Sequence, residues 1–135
     1  MVQENTKLPP LTPRLAPLVP VETLVAVGVV VLKAGEVPRE KLREFYERVI
    51  GLQYLDADAS AIRFRYQQRE VILDRKRPTG GRLGLAVRGF SEMLVRLHDN
   101  GVAFELVHTD VGMTRTAMVH DPAGNWVQLV EVRPI

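Results

Sequence analysis

The strongest constraint on this chain is that its apolar pattern runs through the same order twice. Pro38, Arg39 and Glu40 open a helix that carries Leu42, Phe45, Tyr46, Val49 and Ile50, the stripe of one helical face, and Gly51 stops it. Ser91, placed as N-cap behind Phe90 as a hydrophobic staple, opens a second helix with Met93, Leu94 and Leu97 on its buried stripe, and Gly101 ends that one. The Val-rich run Leu24–Leu32 precedes the first helix and reads as a strand covered on both faces. Leu52–Leu55, Ala61–Gln67 and Glu70–Asp74 follow as strands. The second half supplies Arg82–Val87 before its helix and Val102–His108, Arg115–His120 and Trp126–Val132 after it. The order is strand, helix, three strands, twice over, and the two stop glycines lie 50 residues apart. A period of that size marks a duplicated supersecondary unit. One helix for four strands can cover only one face of a sheet, so the other face must meet a cavity or a partner. The expected fold is α+β: two βαβββ modules, about residues 22–75 and 82–133, forming a curled mixed sheet around a cleft with the helices outside.

Composition narrows the function classes. The chain has 135 residues, enough for one domain with a real core. Five of its nine prolines fall in residues 1–21, which cannot form a regular helix or an interior strand and read as an extended arm, either loose or laid across a partner subunit, ahead of a 22–135 domain. There are no cysteines, which excludes disulfides, thiolate metal sites and a cysteine nucleophile. A net charge of +2, with the cations spread along the chain, does not make a nucleic-acid surface. The longest apolar run has nine residues, too short for a membrane span, and residues 1–7 have no apolar signal core. The expectation is a cytoplasmic protein with neither nucleic-acid nor membrane partners.

Two segments then suggest a family. Phe45-Tyr46-Glu47-Arg48-Val49-Ile50-Gly51-Leu52 resembles the FYxxVLGL signature of the vicinal oxygen chelate superfamily, and Asp121-Pro122-Ala123-Gly124-Asn125-Trp126-Val127-Gln128-Leu129 resembles its DPDGNxIEL signature. That superfamily contains glyoxalases, bleomycin-resistance proteins and extradiol dioxygenases. The resemblance covers about residues 22 to 133 and implies homodimers in small members. It also implies four metal-ligand positions, which here fall on or near Gly28, Ile72, Arg82 and Gln128. A catalytic divalent ion needs about three protein ligands with lone pairs, and glycine, isoleucine and arginine offer none. The expectation is no metal and no cofactor. His98, His108 and His120 do not recur at ligand spacing.

Strand alternation says what would line the cleft instead. Arg63, Arg65 and Gln67 point away from the helices, as do Glu70, Ile72 and Asp74, then Arg82, Gly84 and Ala86, and finally Trp126, Gln128 and Val130. The candidate ligand-binding residues are Arg82, Gln128, Trp126, Arg63, Arg65 and Gly28. An arginine there can grip a carboxylate or phosphate as a fork, and Trp126 can stack on a flat ligand. The opposing reading has Arg63 and Arg65 paired with Glu70 and Asp74 across the hairpin. Three function classes follow. The first is a metal-free protein binding a small anionic or aromatic molecule. The second is a lyase or dioxygenase with an altered metal site, and the third a non-catalytic protein-interaction module. No nucleophile is paired with a base anywhere in the chain.

Overall fold

The computed structural model describes residues 27–108 and 114–132. The proline-rich arm and the start of the first strand's expected range lie outside the described residues. The elements run β1 (Val27–Lys33), α1 (Arg39–Arg43) continuing as a π-helix (Glu44–Ile50), β2 (Gln53–Ala57), β3 (Ala61–Tyr66), β4 (Gln68–Asp74), β5 (Arg82–Val87), α2 (Phe90–Asp99), β6 (Glu105–His108), β7 (Arg115–His120) and β8 (Trp126–Glu131). They form two four-stranded mixed sheets, ordered β1-β4-β3-β2 and β5-β8-β7-β6. This is the α+β architecture of two βαβββ modules that the sequence implies. Among the described residues no helix is long and apolar enough to cross a membrane.

The described chain divides into two compact units whose borders do not follow the modules. One unit joins the described residues 27–83 to His120–Trp126, so it holds the first module, the linker and the turn between β7 and β8. The other gathers the described residues 84–108, 114–119 and 127–132.

In the first unit, β1 runs parallel to β4, and β3 runs antiparallel to both β2 and β4. Ile62 and Phe64 of β3, Val71 and Leu73 of β4 and Leu32 of β1 are fully buried, as are Leu42 and Tyr46 of the helical segment. Each such side chain contributes roughly 1.5–3 kcal/mol by leaving water. Tyr46 packs between Phe45 and Phe64, with ring centroids at 4.8 and 5.5 Å, and Tyr54 meets Phe64 edge-on at 5.8 Å. The helix widens from α to π after Arg43, and Gly51, at φ 102°, ends it with its N–H on the Tyr46 carbonyl at 2.9 Å. A π turn presents Phe45, Tyr46, Val49 and Ile50 to the core together. Arg43 is held by Glu47 at 2.9 Å and lies 3.7 Å over the Tyr54 ring.

The second unit uses a regular α-helix, with Phe90, Met93 and Leu97 buried and Leu94 half-buried. Its N-cap is Gly89, at φ 67°, rather than Ser91, which is exposed in the first turn. Glycine takes the left-handed conformation without the Cβ clash a serine would meet, so the helix begins earlier than the hydroxyl suggests. Arg115 of β7 lies 5.0 Å from the Phe90 ring, and Glu131 of β8 holds it through a two-pronged ion pair at 2.9 and 3.2 Å.

The β3–β4 hairpin is tighter than the sequence implies. Tyr66 faces Arg69 in the register, and Gln67 makes the turn at φ 57°. β4 therefore begins at Gln68 instead of Glu70.

Candidate ligand-binding face

The two sequence signatures meet in one buried knot. Tyr46 donates its hydroxyl proton to Asp121 Oδ2 at 2.5 Å. The other carboxylate oxygen accepts the backbone N–H groups of Ala123 and Asn125 at 2.9 and 2.8 Å, and Asn125 Nδ2 reaches Oδ2 at 2.7 Å. Burial, with the neighbouring Asp121 charge second, pushes the Tyr46 hydroxyl well above its ordinary titration range. Asn125, fully buried, also donates to the Lys33 carbonyl at 2.7 Å and accepts from the N–H groups of Lys33 and Gly81 at 2.9 and 2.8 Å. One side-chain amide thus satisfies both backbone groups of Lys33, as a neighbouring strand would. Gly80 lets the linker in: a Cβ there would sit 2.8 Å from the Gly124 carbonyl oxygen. This arrangement holds the fold together and leaves no donor over for a ligand.

The face of the first sheet turned away from the helical segment is different. The register lays one row across it as Val29, Glu70, Arg65 and Gln53, and a second as Val31, Ile72, Arg63 and Asp56. Val29 is 60% exposed and Val31 38%. Glu70 and Ile72 are half-buried and Arg65 is exposed. The face therefore has an apolar side along β1 and a charged side toward β2. Arg63 is tied to Asp56 at 2.7 Å and to Asp58 at 3.0 Å. Asp58 accepts from Ser60 and Ala61 as well, and these bonds with Arg63 hold its carboxyl far below the usual range. The expected cross-hairpin partners of Arg63 are thus replaced by Asp56 of β2 and Asp58 of the β2–β3 loop.

The six sequence candidates fall in different surroundings. Arg63 and Arg65 share the open face. Gly28, at φ 110°, is exposed and pairs in register with Arg69, whose side chain is buried with Val71 and Leu73, so Val29 and Val31 represent β1 on the open face. Trp126 is half-buried against His120, ring centroids 3.9 Å apart, and burial lowers the His120 pKa below its ordinary value against the pull of Asp121. Gln128 is 1% exposed, whereas Arg82 is exposed. Val29 and Val31 were missed as site residues; the same alternation that turns Glu70 and Ile72 to this face could have found them.

The metal that the resemblance implies needs ligands from the side chains present. Among the described residues no three His, Asp or Glu side chains gather closely enough to hold a metal ion. The positions that the resemblance assigns to ligands carry Gly28, Ile72, Arg82 and Gln128. Of these four side chains only Gln128 offers a lone pair, a neutral amide oxygen, and Arg82 is a permanent cation, so the set does not fit a divalent ion.

Comparison with known proteins gives a fold and no closer kinship. No family model matches the sequence, and no curated protein matches it. Solved structures do match. A lactoylglutathione lyase from Agrobacterium tumefaciens aligns with TM-score 0.67 and 18% identity, over 78% of this chain and 92% of that one. An antibiotic binding protein from a Streptomyces species aligns with TM-score 0.66 and 22% identity, over 82% and 98%. A glyoxalase/bleomycin resistance protein/dioxygenase superfamily member from Sphaerobacter thermophilus aligns with TM-score 0.64 and 24% identity, over 80% and 98%. The chain has the vicinal oxygen chelate fold.

Proposed function

We propose that this chain binds a small anionic or aromatic molecule on the open face of its first sheet, with a degenerate metal site and no catalytic metal. The observation that carries the reading is the exposure of Val29 and Val31 beside Ile72, next to Arg65. Exposed valines on a strand are costly in water, and a ligand that covers them recovers that cost. The donor set at the family's ligand positions supports the absence of metal chemistry. The antibiotic-binding neighbour shows that this fold serves binding as well as catalysis. We expect the protein to act in the cytoplasm as a homodimer, which sedimentation of the purified protein tests.

A flat anion such as 1-naphthoate is a suitable probe. It should raise the melting temperature of the protein with increasing concentration, and Val29→Asp should abolish the rise. No rise at millimolar probe overturns the reading. The lyase or dioxygenase alternative predicts instead a stoichiometric metal ion in protein purified without chelator, measured by elemental analysis.

A further inference from the structure

The order of chemistry across the open face is specific. Along one row it reads apolar at Val29, anionic at Glu70 and cationic at Arg65, on three adjacent strands. Glu70 and Arg65 stand directly opposite in the antiparallel register, where side chains of opposite charge usually pair. Among the described residues, no ion pair or hydrogen bond engages either side chain. The contrast with Arg63 is close at hand, since it lies two residues from Arg65 and is gripped by two carboxylates. The fold thus neutralises one arginine of this face within the β2–β3 hairpin and leaves a facing acid and base open beside exposed valines.

We infer that this face selects a small zwitterion with an apolar tail, of the class of an apolar α-amino acid. The inference rests on the binding reading above and adds a cationic group to the ligand. The carboxylate of such a molecule takes the Arg65 fork, its ammonium meets Glu70, and its side chain covers Val29, Val31 and Ile72. A ligand with only the anion leaves Glu70 beside it unmatched. A ligand with only the cation leaves Arg65 unmatched. A charged partner facing no counter-charge loses the strong component of the contact.

Calorimetric titration of the full chain with L-phenylalanine, N-acetyl-L-phenylalanine and L-phenylalaninamide separates these cases. Phenylalanine should bind roughly tenfold tighter than either analogue, the ratio expected for one charge-assisted contact. Glu70→Gln should weaken phenylalanine by a similar factor and leave N-acetylphenylalanine unchanged. Arg65→Gln should weaken both of these and leave the amide unchanged. Both positions are on the surface, so the variants should keep the circular dichroism spectrum and melting temperature of the parent. N-acetylphenylalanine or phenylalaninamide binding as tightly as phenylalanine overturns the inference. So does binding of 1-naphthoate without binding of phenylalanine, and that result leaves the broader reading in place. Failure of both phenylalanine and naphthoate to bind overturns the two together.

Discussion

The two sheets share a strand order and differ on the face turned away from their helices. In the first, β3 and β4 alternate: Ile62, Phe64, Val71 and Leu73 are fully buried, while the intervening Arg63, Arg65, Glu70 and Ile72 are half-buried or exposed. In the second, four consecutive residues of β7, Thr116 to Val119, and four of β8, Val127 to Val130, are all buried. Unbroken burial means that both faces of those strands are covered. The duplicated unit has therefore kept one face as core in both copies and let the opposite faces diverge. The arginine–aromatic contacts diverge similarly. In the first unit Arg43 comes from the helix to the strand aromatic Tyr54, and in the second Arg115 comes from the strand to the helix aromatic Phe90. A repeat fixes the packing that both copies need and leaves the rest free to specialise.

Substitutions can break that contrast. Matched lysines should give the largest effect. Met118→Lys places a charge in a fully buried position and should cost about 4 kcal/mol or more, while Val31→Lys, on the open face, should change stability by about 0.5 kcal/mol or less. Urea denaturation of both variants reads the difference, and equal losses would contradict it. The buried knot comes next. Asp121→Ala leaves the Tyr46 hydroxyl and the Ala123 and Asn125 N–H groups without their acceptor and should cost about 3 kcal/mol. Tyr46→Phe removes one donor from the same carboxylate and should cost roughly 1–2 kcal/mol.

A smaller effect is expected from pH. Burial lowers the His120 pKa in the folded protein below the ordinary value of 6.5, so the unfolded chain takes up the proton first as pH falls. The stability this group contributes is present above pH 6.5 and is lost as pH drops through 6.5 toward the lower folded value. His120→Phe should flatten the stability profile over that window, as thermal melts between pH 5 and 8 would show. A small gain is expected at the hairpin: Gln67→Gly relieves a side chain from φ 57° and should stabilise it by up to about 1 kcal/mol, seen in the same melts.

The sequence carried the fold well because its signals are local. The stop glycines, the period-two alternation in β3 and β4 and the Asp-Pro turn each act within a few residues. The π winding of Glu44–Ile50 was not visible, since an α turn and a π turn bury the same apolar stripe and only the hydrogen-bond pattern separates them. Nor was the start of α2, where Gly89 in the left-handed region displaced the cap expected at Ser91. The site was less legible. That Arg63 turns to Asp56 and Asp58 depends on the bend at Asp58–Ser60, a tertiary detail. The burial of Gln128 against the exposure of Arg82 has no counterpart in alternation, which gave both the same face. The shared role of Tyr46, Asp121 and Asn125 joins residues 75 positions apart in sequence, a distance that no local pattern spans.

On the proposed reading, the first sheet's open face, and not the second sheet, takes the ligand. Backbone amide shifts during a titration of isotope-labelled protein with 1-naphthoate test it residue by residue. The largest changes should fall on Val29–Val31, Arg63–Arg65 and Glu70–Ile72. Changes confined to Arg82 and Trp126–Val130, with the first sheet silent, would contradict it.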